Sequence, residues 1–143
     1  MMKLKYRKLA VNAITPKRST SGSGGYDLFS TQDVTLLPGA SYAIDIGIQM
    51  EIPSGYVGLI CPKSGLAATF ATTVLNGPGV IDPDYRGSVK AIMINEGDQA
   101  KRFAPGDKVA QILFVEAKEV EFEEVAELSS TERGTGGFGS TGK

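Results

Sequence analysis

Histidine and tryptophan are absent from the 143 residues, and cysteine occurs once, at Cys61. Without histidine there is no Ser-His-Asp triad, no H-E-x-x-H zinc site and no side chain with an ordinary pKa near 7 to act as general base. Acid-base chemistry falls to carboxylates, lysine or tyrosine, and a metal is expected to be a hard, oxygen-bound cation. A lone cysteine excludes an intramolecular disulfide and a Cys-rich zinc site. An excess of charge of one sign is also lacking, since 15 Lys and Arg stand against 16 Asp and Glu. Neither general nucleic-acid binding nor membrane binding is expected, and a polyanionic ligand must be met by a few local cations and backbone amides. The basic start "MMKLKYRK" has no apolar run behind it, and no stretch approaches the roughly 18 apolar residues of a membrane span. An intracellular protein, cytoplasmic or nuclear, is the expectation.

What is abundant is punctuation, with 18 Gly and 7 Pro. In "AIDIGIQMEI", Ile44, Ile46, Ile48, Met50 and Ile52 alternate strictly with smaller or polar residues, the pattern of a half-buried strand. Shorter runs of the same kind are "KLKYRKL", "DVTLL", "YVGLIC", "VKAIMI", "KVAQILFV" and "VEFEEV", separated by turn signals such as "LPGA", "IPSGY" and "APGD". This predicts one all-β domain, a sandwich, jelly roll or barrel. One short helix is predicted near "SGLAATF", with Ser64 as its N-cap. The glutamates between Glu116 and Glu127 alternate with Val120, Phe122 and Val125 and read as a solvated surface strand, and the lysines of "KLKYRK" as edge protection. Two segments are expected to be mobile: "TPKRSTSGSGG" at 15–25, and the Gly/Ser/Thr-rich tail at 129–143 beyond a core at 1–128.

Five stretches invite a chemical reading. "GGYDLFS" sets Asp27 between a glycine run and apolar residues, either capping a turn or holding a metal-bound substrate. "CPKSGLA" gathers Lys63, the Ser64 hydroxyl and the Gly65 amide at a helix mouth, a loop junction or an anion site. "LNGPGVIDPDYRGSV" has hairpin chemistry that leaves backbone groups of Gly79 and Val80 open to a flat heterocycle, with Asp82 and Tyr85 beside them; it also reads as a polar turn. In "GDKVAQILF", Gln111 stands in an apolar strand, so it satisfies local backbone groups or faces a polar ligand. Finally, "RGTGGFGSTGK" matches the G-x-x-x-x-G-K spacing of a phosphate loop at Gly137, Gly142 and Lys143. No Ser or Thr follows that lysine and no helix is expected there, so the match is read as coincidence and Lys143 is assigned no role.

In order and spacing, "GGYDL", "PKSGLA", "NGPGVIDPDYRG", "GDKVAQILF" and "RGTGGFGSTG" closely resemble the five motifs of the trimeric deoxyuridine triphosphatases. The resemblance implies a Mg²⁺-dependent homotrimer of jelly-roll-like subunits that hydrolyses dUTP to dUMP and pyrophosphate, limiting uracil in DNA and supplying dUMP for dTMP synthesis. It implies sites shared between subunits, each closed by the C-terminal arm of another subunit. By matching motif positions, Asp82 is the base for the attacking water and Asp27 holds Mg²⁺ through water. Lys63, Ser64, Gly65 and Gln111 contact phosphates. Asn76 and the backbone of Gly79, Val80 and Ile81 read uracil, Lys90 lines the same pocket, and Tyr85 packs on deoxyribose. On the arm, Arg133 reaches the γ-phosphate, Phe138 stacks on uracil, and Gly139 and Ser140 add phosphate contacts.

One departure is visible: the family more often has arginine where this chain has Lys63, which keeps the charge and loses the bidentate fork. Two other readings share the same motifs. A deoxycytidine triphosphate deaminase has the same fold, but the "GFGSTG" arm and the Asp82/Tyr85 pair fit the hydrolase better. A nucleotide-sensing or protein-binding module without turnover would be suggested by loss of the motif carboxylates, and both Asp27 and Asp82 are present.

Overall fold

The computed structural model describes residues 2–140 and 142. Within them the chain forms β1 (Lys5–Lys8), β2 (Tyr26–Phe29), β3 (Val34–Leu36), β4 (Ser41–Asp45), β5 (Ile48–Glu51), β6 (Tyr56–Cys61), α1 (Ser64–Phe70), β7 (Thr72–Val74), β8 (Gly79–Ile81), β9 (Lys90–Asn95), β10 (Lys101–Phe103) and β11 (Lys108–Glu116). Every strand pairing is antiparallel. The sheets run β2-β11-β6-β8, β4-β9-β7, β1-β5 and β3-β10, a jelly-roll-like all-β subunit with one short helix among the described residues.

The long alternating run is two strands rather than one. Gly47 breaks it at φ +70°, and its N–H donates to Asp45 Oδ1 at 2.6 Å. The inward face nonetheless passes through the break intact. Ile44, Ile46 and Ile48 are fully buried and Met50 and Ile52 nearly so, packed with Leu28, Leu36, Val89, Met93, Phe103, Val109 and Ile112. Burying such side chains contributes roughly 1.5–3 kcal/mol each, the gross term that offsets chain entropy.

Three sequence expectations need correction. "VEFEEV" forms no strand: its apolar side chains face solvent, Phe122 at 94% exposure, because among the described residues no neighbouring strand takes up the backbone groups of an extended segment. Ser64 is not the helix cap. Lys63, with extended backbone, holds that position; its carbonyl accepts the Ala67 N–H at 3.1 Å, and no side chain caps the helix. The 15–25 stretch does not lie free, since Lys17 bridges to Asp27 and Ser23 N–H bonds Thr20 O. Strands β7, β8 and β10 fall outside the runs read as strands, each only three residues long.

A Cβ on Gly47 would lie 2.8 Å from Thr31 Cγ2 and 3.1 Å from Ala13 Cβ, whereas Gly39, at φ +78°, has open space. Gly47→Ala is expected to cost roughly 2 kcal/mol or more in urea unfolding and Gly39→Ala about 1 kcal/mol, because only the first adds a packing clash to backbone strain. Equal losses would contradict this account of the kink.

Candidate functional site

Antiparallel register sets three sequence-distant residues in one row. Asp27 on β2 faces Gln111 on β11, and Gln111 faces Cys61 on β6. Residues directly opposite each other share a face. Just beyond Cys61 the chain leaves the sheet through Pro62, whose carbonyl accepts a hydrogen bond from Gln111 Nε2 at 2.9 Å, and reaches Lys63 and α1. That bond satisfies a local backbone group, one of the two roles open to Gln111. Ser64 and Gly65 are exposed at the start of the helix.

Asp27 lies in a strand, not at a turn cap, and is only 4% exposed. Its N–H donates to Lys17 O at 2.8 Å. Lys63 Nζ bonds Oδ1; Ser19 Oγ donates to Oδ2 at 2.7 Å, and Lys108 Nζ lies 2.8 Å from that same oxygen. Burial raises the carboxyl pKa, but hydrogen bonds from Lys108, Lys63 and Ser19 outweigh it and hold the group well below the usual carboxylate range. Folding therefore fixes an anion at the base of this face. Sequence reading does not single out Ser19 or Lys108. Lys108 stands three residues from Gln111, an odd spacing that assigns it to the opposite side of a regular strand.

A second group lines a cleft of about 220 Å³ formed by Asn76, Gly79, Val80, Ile81, Tyr85 and Lys90, with Ala43, Ile60, Ser88 and Ile92. β8 is the outer strand of its sheet, so one side of the Gly79–Ile81 backbone has no ladder partner among the described residues. Asn76 sits against Gly79, where an added Cβ would meet its Nδ2 at 3.2 Å. Tyr85 is aimed by its hydroxyl, which donates to Ser88 O at 3.0 Å, and Gly87 leaves room for the ring. Asp82 directly follows Ile81, exposed, and its carbonyl accepts the Tyr85 N–H at 3.2 Å. The cleft combines apolar walls with free backbone polar groups, the make-up of a site for a small planar ligand.

The arm residues make their own local turns instead. Arg133 Nε donates to Gly136 O at 2.9 Å, Ser140 N–H to Gly137 O at 3.1 Å, and Phe138 is fully exposed at positive φ, with Gly139 and Ser140 exposed beside it. Lys143, the end of the phosphate-loop spacing, lies outside the described residues.

A family model described as dUTPase matches residues 11–142. The chain belongs to the dUTPase family. A deoxyuridine 5′-triphosphate nucleotidohydrolase of Nautilia profundicola is 46% identical over 142 residues, covering 99% of this chain and 100% of the relative. The mitochondrial enzyme of Homo sapiens is 42% identical over 99% of this chain and 56% of its own length. Among solved structures, a mutant Staphylococcus bacteriophage 80alpha dUTPase with dUpNHpp superposes with TM-score 0.93 at 27% identity, covering 100% of both chains. A mutant dUTPase from phage phi11 of S. aureus, described with a structural Mg(II) ion, gives TM-score 0.82 at 26% identity over 88% of this chain and 98% of its own. This dUTPase-family chain is accordingly a nucleotide hydrolase acting on a phosphoanhydride.

Because Asp27 is held below its ordinary pKa in the fold, the stability it contributes is complete above pH about 4 and is lost as pH falls through and below that value. Asp27→Asn is expected to lower stability by roughly 2–3 kcal/mol at pH 7, leaving two lysines without their anion. The gap to wild type in urea unfolding should narrow at pH 3. A gap of the same size at both pH values contradicts this assignment.

Proposed function

We propose that the protein hydrolyses dUTP to dUMP and pyrophosphate, keeping uracil out of DNA and supplying dUMP for dTMP synthesis. The observation that carries the reading is the cleft at the β8 edge, where free backbone groups of Gly79, Val80 and Ile81, the Asn76 amide and Tyr85 meet. Donors and acceptors fixed in a strand suit the polar edge of uracil and leave buried groups unpaired against cytosine. Tyr85 packs on deoxyribose where a 2′-hydroxyl has no room, and Lys90 lines the same pocket.

In the proposed reaction, Asp82 accepts a proton from water as the water oxygen bonds to the α-phosphorus. The bond from that phosphorus to the bridging oxygen breaks, and pyrophosphate leaves with the electron pair. An aspartate is a weak base, so most of the acceleration comes from positioning and from charge around the phosphates. Lys63, Ser64, Gly65 and Gln111 supply contacts on the body of the subunit. Arg133, Phe138, Gly139 and Ser140 supply them from an arm at 129–143 that closes over the site of another subunit in a homotrimer, the core being 1–128. Phe122 and Leu128 lie in solvent in one chain, and packing against another subunit would remove them from water.

Mg²⁺ fits the donors present. Asp27 is a single buried carboxylate, and among the described residues no group of three His, Cys, Asp or Glu could hold a metal ion. Such a site suits a cation that arrives on the triphosphate and keeps its waters, with Asp27 holding it through one of them. When bound, the ion neutralises charge on the phosphates.

The deciding experiment is a panel of dUTP, dCTP, dTTP and UTP scored for pyrophosphate with and without Mg²⁺. Pyrophosphate from dUTP alone is expected; ammonia from dCTP contradicts the reading. Asp82→Asn should lower kcat at least about a hundredfold while changing dUpNHpp affinity by less than about threefold. Near-normal turnover would remove Asp82 from the role.

Truncation before Arg133 is expected to lower kcat/KM strongly without shifting the unfolding midpoint, since none of the described residues from Arg133 onward is buried. Mixing truncated protein with Asp82→Asn protein should then restore activity after subunit exchange. Absence of rescue despite proven exchange counts against sites shared between subunits.

A further inference from the structure

Lys108 and Gln111 lie three residues apart on β11, which in a regular strand puts them on opposite faces. The register against β2 is irregular at this point. Gln111 meets Asp27 and Ala110 meets Leu28, but Phe29 is met by Lys108 where regular pairing calls for Val109. Val109 and Ala110, consecutive residues, are both fully buried. The extra residue carries Lys108 across to the Gln111 face, the re-aiming that a β-bulge performs.

The result is a second ammonium on a carboxylate that already has one. Lys63 takes Oδ1, while Lys108 lies 2.8 Å from Oδ2 and donates to Ser19 Oγ at 3.1 Å. The two lysines differ in setting, with side-chain exposures of 24% for Lys63 and 43% for Lys108. A lysine that serves both Asp27 and a bound phosphate has to leave the first to reach the second, and a buried carboxylate left without a cation is strongly disfavoured.

We propose that Lys108 is a positioning residue: it holds Asp27 Oδ2 while Lys63 turns from Oδ1 to the triphosphate, so the carboxylate stays paired and Oδ1 becomes free. This rests on the dUTP reading. Lysine suits the exchange, because its ammonium is a point charge on a flexible stem with no paired fork to break. Lys108 touches no reacting atom; it sets the cost of releasing Lys63.

The test is a double-mutant cycle read by calorimetric titration of dUpNHpp with Mg²⁺. Lys108→Met, and equally Lys108→Gln, should weaken binding at least about tenfold in the native background and by less than about twofold when Asp27 is already Asn, since no anion is then left to hold. Lys108→Arg should keep affinity within about threefold of wild type. The same loss in both backgrounds would make Lys108 a direct nucleotide contact and overturn the proposal. So would the absence of a loss in either background, or an Arg variant as weak as Met. A wild-type protein that neither binds dUpNHpp nor hydrolyses dUTP overturns the functional reading together with this one, and is distinguished by failing before any variant is compared.

Discussion

Asp27 is a carboxylate that folding removes from water, and removing an anion from water is tolerated only where fixed donors replace the lost hydration. Three side chains do so, each delivered by a different part of the fold: Ser19 by the turn before β2, Lys63 by the exit of β6, and Lys108 by the irregular start of β11. The β2-β11-β6 pairing is what brings them to one place. Shifting any of these registers by one residue would move a side chain of the cluster to the opposite face. The sheet and the charge cluster therefore depend on each other.

The same sheet serves the other end of the proposed ligand. Its outer strand β8 offers unpaired backbone groups to a planar base, while the row through Asp27 and Gln111 and the exit to Lys63 gather polar and charged groups suited to phosphates. A ligand with a base at one end and a triphosphate at the other matches that division. Acceleration then depends less on any strong base than on how firmly these groups are held.

The sequence makes some of this legible and conceals the rest for definable reasons. Period-2 alternation identifies the inward face of β4 and β5, because burial on one side of a strand leaves that trace, while short apolar runs between turn signals locate β6, β9 and β11 without fixing their faces. It does not show the kink at Gly47, since the inward set continues through it. Alternation also overreaches at "VEFEEV", where the pattern is present and the described residues offer no neighbouring strand. β7, β8 and β10, three residues each, are too short to carry a period. At the site, motif order points to Asp27, Lys63 and the residues of the β8 cleft, and the structure gathers them into two groups. Lys108 stays hidden because a bulge inverts the face that its spacing assigns, and Ser19 because its role comes from a turn that composition reads as mobile. The described arm residues turn on themselves within one chain, so the part proposed for them rests on motif order alone.

Asp27 as a carboxylate shared between two lysines, one of which can leave, is tested most directly by a crystal structure of the protein with Mg²⁺ and dUpNHpp. The account predicts Lys63 Nζ on the triphosphate, with Lys108 Nζ still on Asp27 Oδ2. Nucleotide bound in the β8 cleft with Lys63 still on Asp27 Oδ1 would contradict it.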